Sequence, residues 1–325
     1  MELVCPAGTP AALRAAVAAG AHAVYCGFAD ETNARNFPGL NFSPEELAEG
    51  VAHAHRHGAR VLVAINTFPR AGDEAIWHRA LANTEQAGAD AVILADLGLL
   101  AHAADHHPGL RRHLSVQAAA ANADAINFYV REFGVRRVVL PRVLSVPEIA
   151  AINRESEAEI EAFVFGGLCV MAEGRCSLSS YATGESPNMN GVCSPASAVV
   201  YAEEGDTLAA RLGGFTIHRV GKDEPAPYPT LCKGCFHSEG ETGHVFEDPV
   251  SLNATDLLPQ MARAGVTALK IEGRQRSRAY VSAVVRSFRA AVDALDAGRP
   301  IPPGTLAALS EGQATTTGAY KKTWR

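Results

Sequence analysis

With 325 residues, 47% of them hydrophobic and 20% charged, the chain is long enough to bury a large core and too apolar to be disordered. Its net charge of -6 argues against a broad basic surface, so nucleic acid is not an expected partner, although a local patch is compatible with that balance. Glu2, Pro6 and Arg14 interrupt any leader-like pattern, and no uncharged apolar run approaches the roughly 20 residues of a bilayer span; a cytoplasmic protein without a membrane span is expected.

The first 165 residues repeat one grammar: a short apolar strand, a polar turn, an amphipathic helix, then glycine and the next strand. Strands are predicted at residues 2–5, 23–27, 60–65, 91–95, 113–117, 137–140 and 161–166. Thr9 before Pro10, Ser43 before Pro44, and Ser145 before Val146 and Pro147 supply helix N-cap oxygens with proline in the first turn. Glycine follows the helices in "VAAGAHAVYCGF", "HRHGARVLVAINTF", "EQAGADAVILADLG" and "REFGVRRVVLPR", where a left-handed residue ends a helix. The rhythm breaks between residues 167 and 250. It resumes with an eighth strand at 267–271, inside "MARAGVTALKIEG", and a long helix beyond it. Eight alternating units predict an α/β fold of the (β/α)8 barrel type. The glycine-rich dinucleotide fingerprint that would favour an open doubly wound sheet is absent.

The chain therefore reads as one barrel domain over 1–325, with an insertion at 167–250 after strand seven and an extended tail at 300–325 that Tyr320 and Trp324 could anchor. Within the insertion, residues 196–220 carry the alternation of a small antiparallel β subdomain. The insertion also holds five of the seven cysteines: Cys169, Cys176, Cys193, Cys232 and Cys235. Clustered thiols in a reducing compartment point to a metal or an iron-sulfur cluster, since long loops can converge four thiolates without a helical spacing rule. Zinc stays open, although only Cys232 and Cys235 form a close knuckle; five unrelated buried thiols are the bland alternative. Cys5 and Cys26 end apolar strands and read as core residues.

The motifs "GGLCVMAEGRCSLSSYATG", "NGVCSP", "TLCKGC", "LNATDLL" and "KIEGR" together resemble the collagenase-like unclassified-peptidase family, most closely its branch in oxygen-independent ubiquinone biosynthesis. The resemblance implies a 4Fe-4S cluster on Cys169, Cys176, Cys193 and Cys232, with Cys235 a spare thiol of undefined role. It further implies anaerobic hydroxylation of the ring of a prenylated quinone precursor, in a heterodimer with a homologous iron-sulfur subunit of the UbiV type and beside a lipid-binding accessory protein. Other family members resemble RNA hydroxylation factors for tRNA or rRNA with prephenate as the hydroxyl source. They carry additional C-terminal sequence and this chain is acidic, so RNA is the alternative. A peptidase comes third, because neither H-E-x-x-H nor G-x-S-x-G occurs.

A carboxylated hydroxyl donor needs guanidinium forks just beyond barrel strands. Arg142 in "VLPRVLS" and Arg274 in "KIEGRQRS" have that placement, with Glu272 beside them, and these three are the candidate catalytic residues. Structural ion pairs across the mouth are the competing reading for both arginines. Arg35, in the loop "ADETNARNFPGLNF" after strand two, shares that placement, but a surface-loop residue is the better reading. Asn66, Asp96 and Gln117 also lie near strand ends. His53 and His57 share a helix face, where a solvated surface is the better reading than a metal site.

Overall fold

The computed structural model describes residues 1–169, 176–187, 193–224, 228–302, 306–310 and 314–321. Eight parallel strands close on themselves: β1 (Glu2–Pro6), β2 (Ala23–Cys26), β3 (Arg60–Ile65), β4 (Ala91–Leu94), β5 (Arg112–Leu114), β6 (Val135–Val139), β7 (Glu159–Gly167) and, after the insertion, β14 (Val266–Ile271). The last strand pairs with both β7 and β1, which completes the barrel and removes its edges. All eight predicted strands are present, with ends that coincide or shift by at most three residues.

Helices α1 (Pro10–Ala18), α2 (Pro44–Arg56), α3 (Ala75–Gln86), α4 (Leu97–His106), α5 (Ala123–Phe133) and α6 (Val146–Glu155) alternate with the strands, and α8 (Leu258–Arg263) and α9 (Arg278–Asp296) flank β14. Their starts follow local chemistry. Thr9 Oγ1 accepts from the Ala12 amide, and Ser43 and Ser145 form capping boxes with Glu46 and Glu148.

Strand alternation divides the core in two. Leu3, Cys5, Val24, Cys26, Val61 and Val63 face outward against the helices, whereas Val4, Ala23, Tyr25, Leu62, Ala64, Ala91, Ile93 and Ala268 form a smaller cluster inside the barrel. Four alanines among those eight leave space where barrels ordinarily place large branched residues. Long charged side chains fill it. Glu161, fully buried on β7, accepts from Lys270 Nζ at 2.6 Å and from Arg137 Nη1 at 3.4 Å; Arg137 also donates to Glu2 at 2.6 Å and to Glu159 at 2.9 Å.

The insertion after β7 carries short α7 (Ser177–Thr183) and two small sheets. The predicted antiparallel pair is three strands, β8 (Val199–Glu204), β9 (Thr207–Leu212) and β10 (Phe215–Gly221), and a hairpin of β11 (Cys235–Ser238) and β12 (Glu241–His244) follows. The third strand forms because Gly213 provides the positive φ of a second tight turn. Strand β13 (Ser251–Asn253) then pairs antiparallel with the end of β7, and β15 (Thr315–Thr316) pairs with β13. Tyr320 is buried and donates to the Phe163 carbonyl at 2.6 Å; Trp324 lies outside the described residues.

Removing one partner from a buried ion pair strands the other, at a cost of about 3–5 kcal/mol. Glu161→Gln should lower the unfolding free energy by about 3 kcal/mol in urea denaturation, and adding Lys270→Met should cost less in that background than in the wild type. A loss below about 1 kcal/mol would show that the pair does not hold the barrel interior together.

Candidate active site

A cavity of roughly 590 Å3, counting its solvent-open part, lies at the C-terminal end of the barrel strands. Its lining includes Tyr25, Arg35, Asn66, Gln117, Arg142, Phe163, Lys270, Glu272 and Arg274. The C-terminal face is where barrel enzymes build their sites, because eight separate loops can aim side chains into one space.

Glu272, immediately beyond β14, stands at the centre. It accepts from Arg35 Nη2 at 3.0 Å on one oxygen and from Arg142 Nη2 at 2.7 Å on the other. Arg142 stacks its guanidinium 3.6 Å from the Phe163 ring centroid. Arg274 instead donates to a neutral amide, Asn33 Oδ1 at 2.7 Å, and among the described residues no carboxylate lies within ion-pair distance of it. Two glycines make these approaches possible. Gly166 has φ +122°, and a Cβ there would lie 2.6 Å from Glu272 Cβ; a Cβ on Gly8 would lie 1.9 Å from the Arg274 carbonyl oxygen.

The structure corrects the reading of Arg35 as a surface residue. The loop after β2 is clamped over the mouth. Asn33 is fully buried and accepts from the Arg35 amide at 3.1 Å, Asn41 Nδ2 donates to the Arg35 carbonyl at 2.8 Å, and Asn66 Oδ1 accepts from the Ala34 amide at 3.0 Å. Thr67 ties the same loop down through the Glu31 carbonyl while accepting from Trp77 Nε1. Asn66 and Gln117 line the cavity as placed, but Asp96 is a helix cap, accepting from the Leu99 amide at 3.0 Å. His57 bonds the His53 carbonyl at the end of α2, where both rings lie outside the barrel.

Among the described residues the mouth is cationic: Arg35, Arg142 and Arg274 surround one carboxylate, that of Glu272, while Lys270 is paired with Glu161. Burial alone would raise Glu272, but Arg142 and Arg35 outweigh it and hold the carboxyl at about 2. Burial lowers Arg274 to about 10, against the opposing influence of Tyr25. Such a surplus of buried positive charge suits a carboxylated or phosphorylated ligand.

Next to this site lies the thiol-bearing insertion. Burial raises the Cys193 thiol, and Arg35 opposes that; Cys176, Cys232 and Glu272 are its other charged or ionisable neighbours. Cys176 caps α7, which packs beside the Leu231–Lys233 turn that carries Cys232. Ser194 is fixed by Tyr228, whose hydroxyl donates to the Ser194 carbonyl and accepts from its amide, both at 3.0 Å, and Phe37 packs edge-on against Tyr228 at 5.7 Å. The loop that delivers Arg35 is thus joined to the segments that deliver Cys193 and Cys232. Cys169 is exposed beyond β7, and Cys235 begins β11.

As a donor set, soft thiols beside a guanidinium fit a thiolate-bound metal or cluster. Among the described residues, however, no three cysteine, histidine or acidic side chains are arranged to hold one ion. Cys5 and Cys26 are buried in the core.

Tyr25, Asn33 and Lys270 are the site residues that inspection of the sequence passed over. Lys270 had a signal: a lone lysine alternating with Leu269 and Ile271 must point into the barrel if those two point out.

Because the folded pKa of Glu272 is depressed from 4.5 to about 2, its stabilisation is full above pH 4.5 and is lost as pH falls through 2. Glu272→Gln should lower the melting temperature at pH 6, and the difference should shrink steadily from pH 4.5 toward pH 2.5; a difference independent of pH would contradict the ion-pair geometry.

Residues 8–317 match the model of Peptidase family U32. The chain is 35% identical to the tRNA hydroxylation protein P of Escherichia coli, over 95% of this chain and 71% of that protein. It is 32% identical to the tRNA hydroxylation protein P1 of Bacillus subtilis, over 90% and 63%, and 30% identical to the 23S rRNA 5-hydroxycytidine C2501 synthase of Escherichia coli, over 96% and 42%. The chain thus spans about two thirds of the tRNA proteins and under half of the rRNA enzyme. The barrel, its cationic mouth and this match along nearly the whole sequence agree, and the chain belongs to Peptidase family U32.

Proposed function

We propose that this chain provides the catalytic barrel of an RNA hydroxylation enzyme acting on tRNA or rRNA, with the barrel mouth as its active site. The observation that carries this reading is the cationic mouth formed by Arg35, Arg142 and Arg274 around Glu272, in a chain whose relatives are named for tRNA and rRNA hydroxylation. Exposed arginines also follow two of the strand ends. Arg276 and Arg278, just past Arg274, and Arg70, in the loop after β3, are exposed. A local patch of this kind attracts phosphates even on a chain of net charge -6. Net charge had ranked RNA below a quinone substrate; the relatives and these arginines reverse that order, and the expectation of no nucleic-acid partner is withdrawn with it.

In this reading Arg142 and Arg274 bind the carboxylates of the hydroxyl donor, for which prephenate is the candidate, and Glu272 holds Arg142 and Arg35 in the required orientation. Phe163 and Tyr25 give an apolar wall for a ring and exclude water. Cys169, Cys176, Cys193 and Cys232 are the proposed ligands of a 4Fe-4S cluster, which would supply one-electron transfer when bound. The second reading, a quinone-ring hydroxylase working with a homologous subunit and a lipid-binding accessory protein, rests on the resemblance carried by the cysteine motifs with "LNATDLL" and "KIEGR". A cytoplasmic setting suits either substrate, and among the described residues no helix is long and apolar enough to cross a membrane.

Deleting the gene and growing the cells without oxygen separates the two. Mass spectrometry of digested tRNA and rRNA should show loss of a hydroxylated nucleoside, restored by the wild-type gene and reduced at least about tenfold with Arg142→Gln or Cys193→Ala. Intact nucleosides with accumulation of an unhydroxylated quinone precursor would overturn the RNA reading. Protein purified anaerobically should carry iron and sulfide, and stoichiometric zinc would overturn the cluster assignment.

A further inference from the structure

Lys270 is not needed for the anion site just described, yet it lines the same cavity. Its ammonium is buried inside the barrel, 2.6 Å from Glu161 Oε1 and 4.0 Å from the centroid of the Tyr25 ring. On the same ring Arg274 lies 5.4 Å from the centroid, so the amine and the guanidinium share one aromatic side chain. A buried amine beside other cations is the environment in which lysine becomes a nucleophile toward carbonyl carbon. Burial lowers the Lys270 pKa, and Arg274 and Arg137 push in the same direction against Glu161.

We propose that Lys270 is a covalent carbonyl-binding residue, forming an imine with a 2-oxo acid whose carboxylate sits on Arg142 or Arg274. The two parts of such a ligand match the two kinds of group in the cavity: guanidinium for the carboxylate, amine for the adjacent carbonyl. Glu161 takes a proton from the Lys270 ammonium. The free amine then bonds to the carbonyl carbon as the C–O π bond breaks, and one proton passes from the nitrogen to the alkoxide oxygen, giving a neutral carbinolamine. Return of that proton from Glu161 to the carbinolamine hydroxyl releases one water and leaves a protonated imine, so the charge on nitrogen is unchanged overall. No oxidant or reductant takes part. Small Ala64 lines the same cavity as Lys270.

The inference concerns the same cavity as the proposed RNA hydroxylation but needs neither RNA nor a cluster, so its failure and the failure of that reading are separable. The chain has only five lysines: Lys222, Lys233, Lys270, Lys321 and Lys322. Purified full-length protein is incubated with pyruvate, 2-oxoglutarate or phenylpyruvate and reduced with borohydride, then digested and mapped by mass spectrometry. A reduced adduct on Lys270, exceeding that on any other lysine by on the order of tenfold, supports the proposal. Lys270→Arg, which keeps the positive charge for Glu161, should fold and lose the adduct, and Arg142→Gln with Arg274→Gln should diminish it severalfold. No adduct with any of the three acids, or adducts spread evenly over the lysines, would overturn it.

Discussion

The two-sided ion pair of Glu272 with Arg35 and Arg142 is the constraint on which the site depends. It joins the last strand of the barrel to the loops after β2 and β6, which are 237 and 130 residues away in sequence. The shared carboxylate offsets the desolvation of both guanidiniums. Glu272 in turn requires that Gly166 lack a side chain, and Arg35 requires that the loop over the mouth be clamped by Asn33, Asn41 and Asn66. Arg35 is also the electrostatic neighbour of Cys193, so one guanidinium connects the barrel mouth to the thiol-bearing insertion.

A polar interior is an expensive choice for a barrel. Burying Glu161, Lys270 and Arg137 costs desolvation that an apolar filling of Val, Ile and Leu would avoid, and replacing such groups by hydrophobic residues is often neutral or stabilising. The sequence nevertheless places alanines at positions 23, 64, 91 and 268, which opens the volume that the charged chains occupy. The ion pairs beneath the cavity floor are therefore best understood as support for a site, since packing alone would be served better by larger apolar side chains.

Much of the fold was legible because it is local. Strand alternation, N-cap oxygens at Thr9, Ser43 and Ser145, and glycine at helix ends are written into neighbouring residues, and every barrel strand followed from them. The site was legible where position on a strand end sufficed, as for Arg142, Glu272 and Arg274. It was hidden where a tertiary contact decides. Nothing near Arg35 in sequence shows that Asn33 and Asn41 turn its loop inward, and Asp96 shares its strand-end position with its role as the cap of α4. Cysteine spacing marked the insertion, but the sharing of one neighbourhood by Cys176, Cys193 and Cys232 depends on the Tyr228 clamp and the packing of α7. Net charge averages over the molecule and so says nothing of local placement: Arg70 and Arg276 are exposed in loops beyond the C-terminal strand ends, and Arg278 is exposed at the start of α9.

The central claim is that the barrel mouth is a built anion site, with Arg274 held ready by a neutral partner. Calorimetric titration of the purified chain with a dicarboxylate such as prephenate tests it most directly. The account predicts binding that weakens with salt and that falls at least about tenfold in Arg274→Gln while the fold is retained. Binding of equal strength in wild type and Arg274→Gln, or none in the wild type, would contradict it.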